Sequence, residues 1–212
     1  MLDQPLISPR ATRTRSALVT AGFDLLATKP IDAIAIDELV AAAGVGKGSF
    51  FNHFADKQAF ASALATEVRL ELEQHVDRAN NGLTDPVERI AGGLLTCANF
   101  AIEKPKRAAV LLRSVANVTD PKHPLNKGLA DDFYEAVRLG LVRPEARESG
   151  VLYWLGLCQT VIAYLLEWTG DSSQAEARIA DLLLFGLAGI GVDHRRAEEL
   201  STRPHNVVRA KQ

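Results

Sequence analysis

The sequence predicts an all-α protein, and three features predict it. Ala, Leu, Glu and Arg recur at three-to-four-residue spacing, β-branched and aromatic residues do not alternate with polar ones, and Gly, Pro and Asn-Gly marks cut the chain into pieces of helical length. With 212 residues, 47% hydrophobic and 24% charged, the chain is long enough to bury a core in one or two domains.

Residues 1–9, with Pro5 and Pro9, read as an arm. A first helix is predicted over 14–29, with Leu18, Ala21, Leu25 and Leu26 on one face and Pro30 ending it. Two short helices follow, over 36–43 and 47–54, joined by Gly44-Val45-Gly46. Two-turn helices meeting at a glycine turn are unusual in a plain bundle. Asp56 opens a long helix reaching about Ala79, closed by Asn80-Asn81-Gly82, and Asp85-Pro86 starts the next. Breaks at Lys104-Pro105, Asp120-Pro121 with Pro124, Arg143-Pro144 and Gly170-Asp171-Ser172-Ser173 divide 84–192 into about five helices. From Asp193 the chain is polar and is expected to be a mobile tail.

Lys plus Arg number 24 and Asp plus Glu 26, a net charge of −2, so bulk charge does not draw the chain to nucleic acid. Any such contact needs a local patch. Cys97 and Cys158 lie in apolar helical patterns and no signal segment opens the sequence, which points to a reducing cytoplasm. The longest apolar run, residues 151–166, contains Gln159 and Thr160 and falls short of the roughly 20 residues of a spanning helix, so no membrane partner is expected.

The informative segment is 36–54. Ala42 and Ala43 are small where two helices must cross closely. Gly44 suits the left-handed residue ending the first of them, and Val45 can plug the corner. With Leu39, Phe50 and Phe54 these residues form the predicted core of a helix-turn-helix, to which Phe51 adds. Lys47, Gly48, Ser49, Asn52 and His53 form the outward set, small and polar enough for a helix lying in a major groove. A phosphate loop is excluded: Ala41 and Gly48 stand where a Walker sequence needs Gly and Ser or Thr, and no strand precedes them.

The run from Gly44 to Lys57 resembles the signature of the TetR family of bacterial repressors, Gly-Val-Ser-Lys-Gly-Thr-Leu-Tyr-x-Tyr/His-Phe followed a few residues on by Lys. The likeness extends from about Thr14 to Leu64. It implies a three-helix DNA-binding domain over 10–56, a connecting helix over 57–79, a larger helical ligand-binding and dimerisation domain over 80–192, and a tail over 193–212. It also implies that Lys47 and Ser49 sit at the groove, that Asn52 and His53 face bases or phosphates, that Lys57 meets a phosphate, and that Arg10, Arg13 and Arg15 flank the backbone. Three positions depart from the pattern: Gly46 replaces the usual Ser or Thr cap, Ala35 a capping Thr, and Phe51 a Tyr. Residues 1–60 hold six basic and six acidic groups, so placement rather than net charge must attract DNA.

Val151 onward is apolar around almost the whole helix, more than one small bundle buries. The resemblance supplies two uses for it. One is an effector pocket, for which Asn99, Asn117, Tyr134, Tyr153 and Gln159 are the polar candidates, and whose apolar lining suggests a small apolar or aromatic effector. The other is a homodimer interface drawn from Leu165, Trp168, Leu182, Leu183, Phe185, Gly186, Gly189 and Ile190. The expected function is that of a repressor binding a near-palindromic double-stranded operator as a homodimer and released by the effector. An all-helical enzyme or an interaction module whose helix-turn-helix is structural is the alternative. The five His residues lie in no metal-ligand spacing, and the carboxylates of Glu71-Leu72-Glu73 and Asp131-Asp132 read as solvated helix faces, so no catalytic residue, metal or cofactor is expected.

Overall fold

The computed structural model describes residues 9–113 and 123–203, and among them every regular element is helical. The helices are α1 (Pro9–Leu26), α2 (Ile36–Ala42), α3 (Lys47–Phe51), α4 (Lys57–Ala79), α5 (Pro86–Glu103), α6 (Pro105–Arg113), α7 (Lys127–Arg138), α8 (Ala146–Glu167), α9 (Ser172–Gly189) and α10 (His194–Thr202). Short 3-10 turns, Ile31–Ala33 and Pro124–Asn126, precede α2 and α7.

Helix α1 already includes Pro9, the first described residue, five residues before the predicted start, and proline is tolerated in a first helical turn. It ends at Leu26 rather than Lys29. The segment expected as a mobile tail is helical to Thr202: Asp193 caps α10, Ala197 and Leu200 are buried, and Arg203 reaches Glu88 at 2.9 Å. Arg196 is also paired with Asp85, the residue that caps α5. Alternating charges hid two apolar residues spaced three apart.

Helices α1, α2 and α3 close around one aromatic cluster, completed by α4. Phe50 is fully buried, its ring 5.7 Å from both Phe54 and Phe60, and Phe60 lies 4.8 Å from Phe54. Gly22 of α1 leaves the space that the Phe60 ring fills; a β-carbon there would overlap it. The remaining helices form a second layer in which α5 packs on α4, α6, α7, α8 and α9. Trp154 of α8 sits near its centre and donates through its indole N–H to the Ile90 carbonyl at 3.1 Å.

Helix α8 runs 22 residues, longer than the 16-residue apolar stretch that marks it, and its length and composition alone would let it cross a bilayer. In the fold it packs against α5, α6, α7 and α9 instead.

Candidate nucleic-acid interface and ligand chamber

In the turn between α2 and α3, Gly44 and Val45 take the expected places, whereas Ala42 is exposed and not at a helix crossing. Gly44 takes φ +65°, the left-handed conformation that favours glycine, and the Val45 amide donates to the Val40 carbonyl at 3.0 Å. Leu39 is buried under the turn, and Ala43 and Val45 pack half-buried against the same core. Both short helices start without a side-chain cap, at Ala35 and at Gly46, as the two departures from the family pattern imply. Helix α3 is shorter than predicted, ending at Phe51, although Asn52 keeps helical angles and the Phe54 amide still donates to the Phe50 carbonyl. Phe51 does not join the core: half of its surface is exposed, with its ring set edge-on to Phe50 at 5.4 Å.

Lys47, Gly48 and Asn52 are exposed and Ser49 and His53 half-buried, so one face of α3 and the turn after it presents polar groups. A β-carbon on Gly48 would meet nothing within 4 Å, which leaves the backbone open to close approach. Arg15 lies beside this face, its guanidinium 5.7 Å from the centre of the Phe54 ring. Arg10 and Arg13 are exposed on the first turns of α1. Two of the lysines expected to meet DNA are engaged elsewhere. The Lys57 ammonium donates to the Ile34 carbonyl at 2.9 Å and the Asp32 carbonyl at 3.3 Å, and Lys47 pairs with Asp37 at 2.9 Å. The Lys47 pair is solvent-exposed and holds the side chain weakly, whereas Lys57 ties the start of α4 to the 3-10 turn before α2.

The second site is a chamber of about 490 Å³ walled by α4, α5, α7 and α8, with Leu111 of α6 at one side. Among the polar residues expected to line it, Gln159 does. Asn99 is half-buried on α5 away from the wall, and Asn117 lies outside the described residues. Tyr134 and Tyr153 are exposed: Tyr134 stacks under the Arg147 guanidinium at 4.8 Å, and Tyr153, one residue before the inward-facing Trp154, turns its hydroxyl to Gly189 of α9. Neighbouring positions on a helix face about 100° apart, and the all-round apolar pattern of α8 did not say which was which.

The charged groups of the inner wall are residues that sequence reasoning assigned to solvent or did not single out: Arg69, Glu73, Arg89 and Asp132. Asp132 accepts from Arg89 Nε at 2.7 Å, and burial raises its carboxyl above the usual value against the pull of that guanidinium. Asp131, its neighbour, is exposed as expected. Cys97 and Cys158 are buried at the chamber's inner side, and hydrogen bonding to Cys97 together with burial pushes the Cys158 thiol well up, so it stays protonated.

The chamber and the helix-turn-helix unit share α4 and meet again at α6. Arg107 donates to Glu67 at 2.9 Å and forms an ion pair with Glu71 at 2.5 Å while stacking 4.2 Å over the Phe23 ring of α1. Lys106 reaches Asp24 at 2.6 Å, and Arg113 donates to the Leu26 carbonyl at the end of α1. Glu71 and Glu73, expected on a solvated face, are half-buried, Glu71 paired with Lys104 and Arg107 and Glu73 standing 3.6 Å from Arg69. Burial alone would raise the Glu71 carboxyl, but the Lys104 hydrogen bond and the charges of Arg107 and Lys104 outweigh it and hold it below 4.5. A carboxylate depressed in the folded state contributes stability above its unfolded pKa, and that contribution is lost as pH falls through the folded value. Thermal midpoints should therefore drop as the protein is acidified from about pH 5, and Glu71→Gln should flatten that slope.

The expected dimer residues divide between two sides of α9 and the end of α8. Leu183, Gly186 and Ile190 face inward and are buried, Gly186 against Leu157 and Trp154. They serve the protomer's own core. Leu182, Phe185 and Gly189, spaced three and four apart, form the opposite side, where Phe185 is 65% exposed. Leu152 and Tyr153 of α8 are exposed as well. Leu165 is half-buried, and Trp168 caps the end of α8 with its ring 5.2 Å from Tyr164 and its indole N–H on the Asp171 carbonyl at 3.2 Å.

A small helix-turn-helix unit sharing one long helix with a hollow helical layer defines the class: a two-part helical fold with the helix-turn-helix at one end and a chamber at the other. Residues 18–64 match the model of the bacterial regulatory proteins, tetR family, and the fold of the chain is shared with solved structures described as TetR-family transcription regulators. The transcriptional regulator AcuR of Cereibacter sphaeroides is 31% identical over 88 residues, which make up 41% of this chain and 40% of AcuR. The chain thus spans about two fifths of that relative's length. Two solved structures share the fold. RolR in complex with resorcinol is 21% identical with a TM-score of 0.58, covering 94% of this chain and 98% of RolR. AibR in complex with isovaleryl coenzyme A and operator DNA is 19% identical with a TM-score of 0.59, covering 80% of this chain and 97% of AibR.

Proposed function

We propose that this protein is a transcriptional repressor that binds a near-palindromic operator as a homodimer and is released by a small-molecule effector. The observation that carries this reading is α4: its first turns complete the reader's core through Phe60 and Leu64, and its last turns wall the chamber through Arg69, Leu72, Glu73 and Val76. In this reading Lys47, Ser49, Asn52 and His53 enter the major groove, Arg10, Arg13 and Arg15 lie along the backbone, and Lys57 positions α4. The outer side of α8 and α9, with Leu152, Tyr153, Leu182, Phe185 and Gly189, pairs with a second copy. An exposed apolar face beside an already filled core favours association, and a two-fold dimer would place half-site centres about 34–36 Å apart or a multiple of it.

The chamber and α6 supply the switch. An effector pressing on Leu111 or on the α4 wall acts on the two elements that hold α1, and a coupling of about 1–3 kcal/mol changes operator affinity five- to about 150-fold. That RolR and AibR are described with bound small molecules, and AibR with operator DNA, supports this assignment of roles. Gel shift of the purified protein on its own upstream region tests it. Sequence-selective binding at nanomolar to micromolar protein that weakens steeply with salt is the expected result, and salt-insensitive or absent binding overturns it.

A further inference from the structure

Arg69 and Glu73 stand one helical turn apart on the α4 wall with Nη2 and Oε1 separated by 3.6 Å, too far for a charge-assisted hydrogen bond. The guanidinium is anchored by Nη2 on Asn126 Oδ1 at 2.6 Å, while its Nε is buried and meets no acceptor among the described residues. Glu73 has no closer partner among them, and burial raises its carboxyl above 4.5. Elsewhere in the wall Arg89 and Asp132 neutralise each other. The remaining acids, Asp77 and Asp131, are exposed at the rim, Asp131 beside Lys127.

The inner chamber therefore holds two guanidiniums and two carboxyls, and a charged ligand would upset that balance where water is scarce. A carboxylate would face Glu73 and an ammonium would face Arg69. A hydroxyl satisfies both, because its oxygen accepts from the guanidinium and its hydrogen goes to the carboxylate. Leu72, Leu111, Trp154 and Ile162 leave an apolar surface for the rest of the molecule. We propose that the chamber takes an uncharged, apolar compound of one or two rings bearing a hydroxyl held between Arg69 and Glu73. This rests on the effector reading and specifies its chemistry.

Four probes of matched shape test it: 4-propylphenol, 4-propylbenzoate, 4-propylbenzylamine and propylbenzene, each titrated calorimetrically into the full chain. The phenol is expected to bind about tenfold or more tighter than each of the others. Arg69→Met and Glu73→Met should each remove about that factor for the phenol while leaving propylbenzene within about threefold, with circular dichroism checking that both variants are folded. Equal affinities, or preference for the benzoate or the amine, overturn the hydroxyl assignment and leave an effector chamber standing. Binding of none of the four by the wild-type chain overturns the assignment and the chamber reading together.

Discussion

Phe60→Ala is expected to abolish operator binding and to lower stability by about 3–5 kcal/mol, the usual cost of emptying a buried aromatic site. Phe60 is fully buried, belongs to α4, and is the ring on which Phe50, Phe54 and Gly22 converge. Three helices lose their common contact when it is removed. With domain stabilities of about 5–15 kcal/mol, such a loss leaves α1, α2 and α3 poorly held, and the spacing of two recognition helices cannot survive that. Thermal denaturation followed by circular dichroism, with gel shift alongside, measures both effects. Phe51→Ala supplies the contrast: its ring is half exposed at the edge of the same cluster, and its stability should stay within about 0.5 kcal/mol of the parent. Equal losses in the two variants would contradict the placement of Phe51 outside the core.

That pair of phenylalanines also shows what the sequence could reveal. Periodicity and turn chemistry mark the reader clearly, because Gly44 and Val45 each have one geometric task and neighbouring residues agree with it. Phe50 and Phe51 are adjacent and equally apolar, so only packing distinguishes them. The same ambiguity recurs on α8 and α9, where nearly every position is apolar: Trp154 faces in and Tyr153 out, and Leu183 faces in while Leu182 and Phe185 lie on the other side. Punctuation by proline, glycine and asparagine places the helices of the second layer. It does not reveal the chamber wall, whose charged members come from α4, α5 and α7, three helices that meet only in the fold. Glu73 reads with Glu71 as a solvated helix face, and Asp132 is indistinguishable by composition from its exposed neighbour Asp131.

Asp132→Ala is expected to destabilise the protein toward the lower end of about 3–5 kcal/mol, the range for breaking a buried ion pair from one side. The lower end applies because Arg89 keeps 29% of its side chain exposed and can recover part of its hydration. What remains is a cation in the chamber wall with its acceptor gone, at the contact between α5 and α7. The double replacement Arg89→Met with Asp132→Leu should restore most of the loss, since burial already raises the Asp132 carboxyl in spite of its partner. For the carboxyl desolvation outweighs attraction, while for Arg89 the hydrogen bond to Asp132 outweighs desolvation, and an apolar pair of similar volume avoids the desolvation of both groups. Chemical denaturation of the parent, both single variants and the double closes a cycle in which the coupling energy is read directly. A double variant no more stable than Asp132→Ala would mean that the pair is a net stabiliser of the α5–α7 contact. Recovery in the double would instead assign the pair to the chamber's charge balance, which the hydroxyl-bearing probe can then report through its affinity.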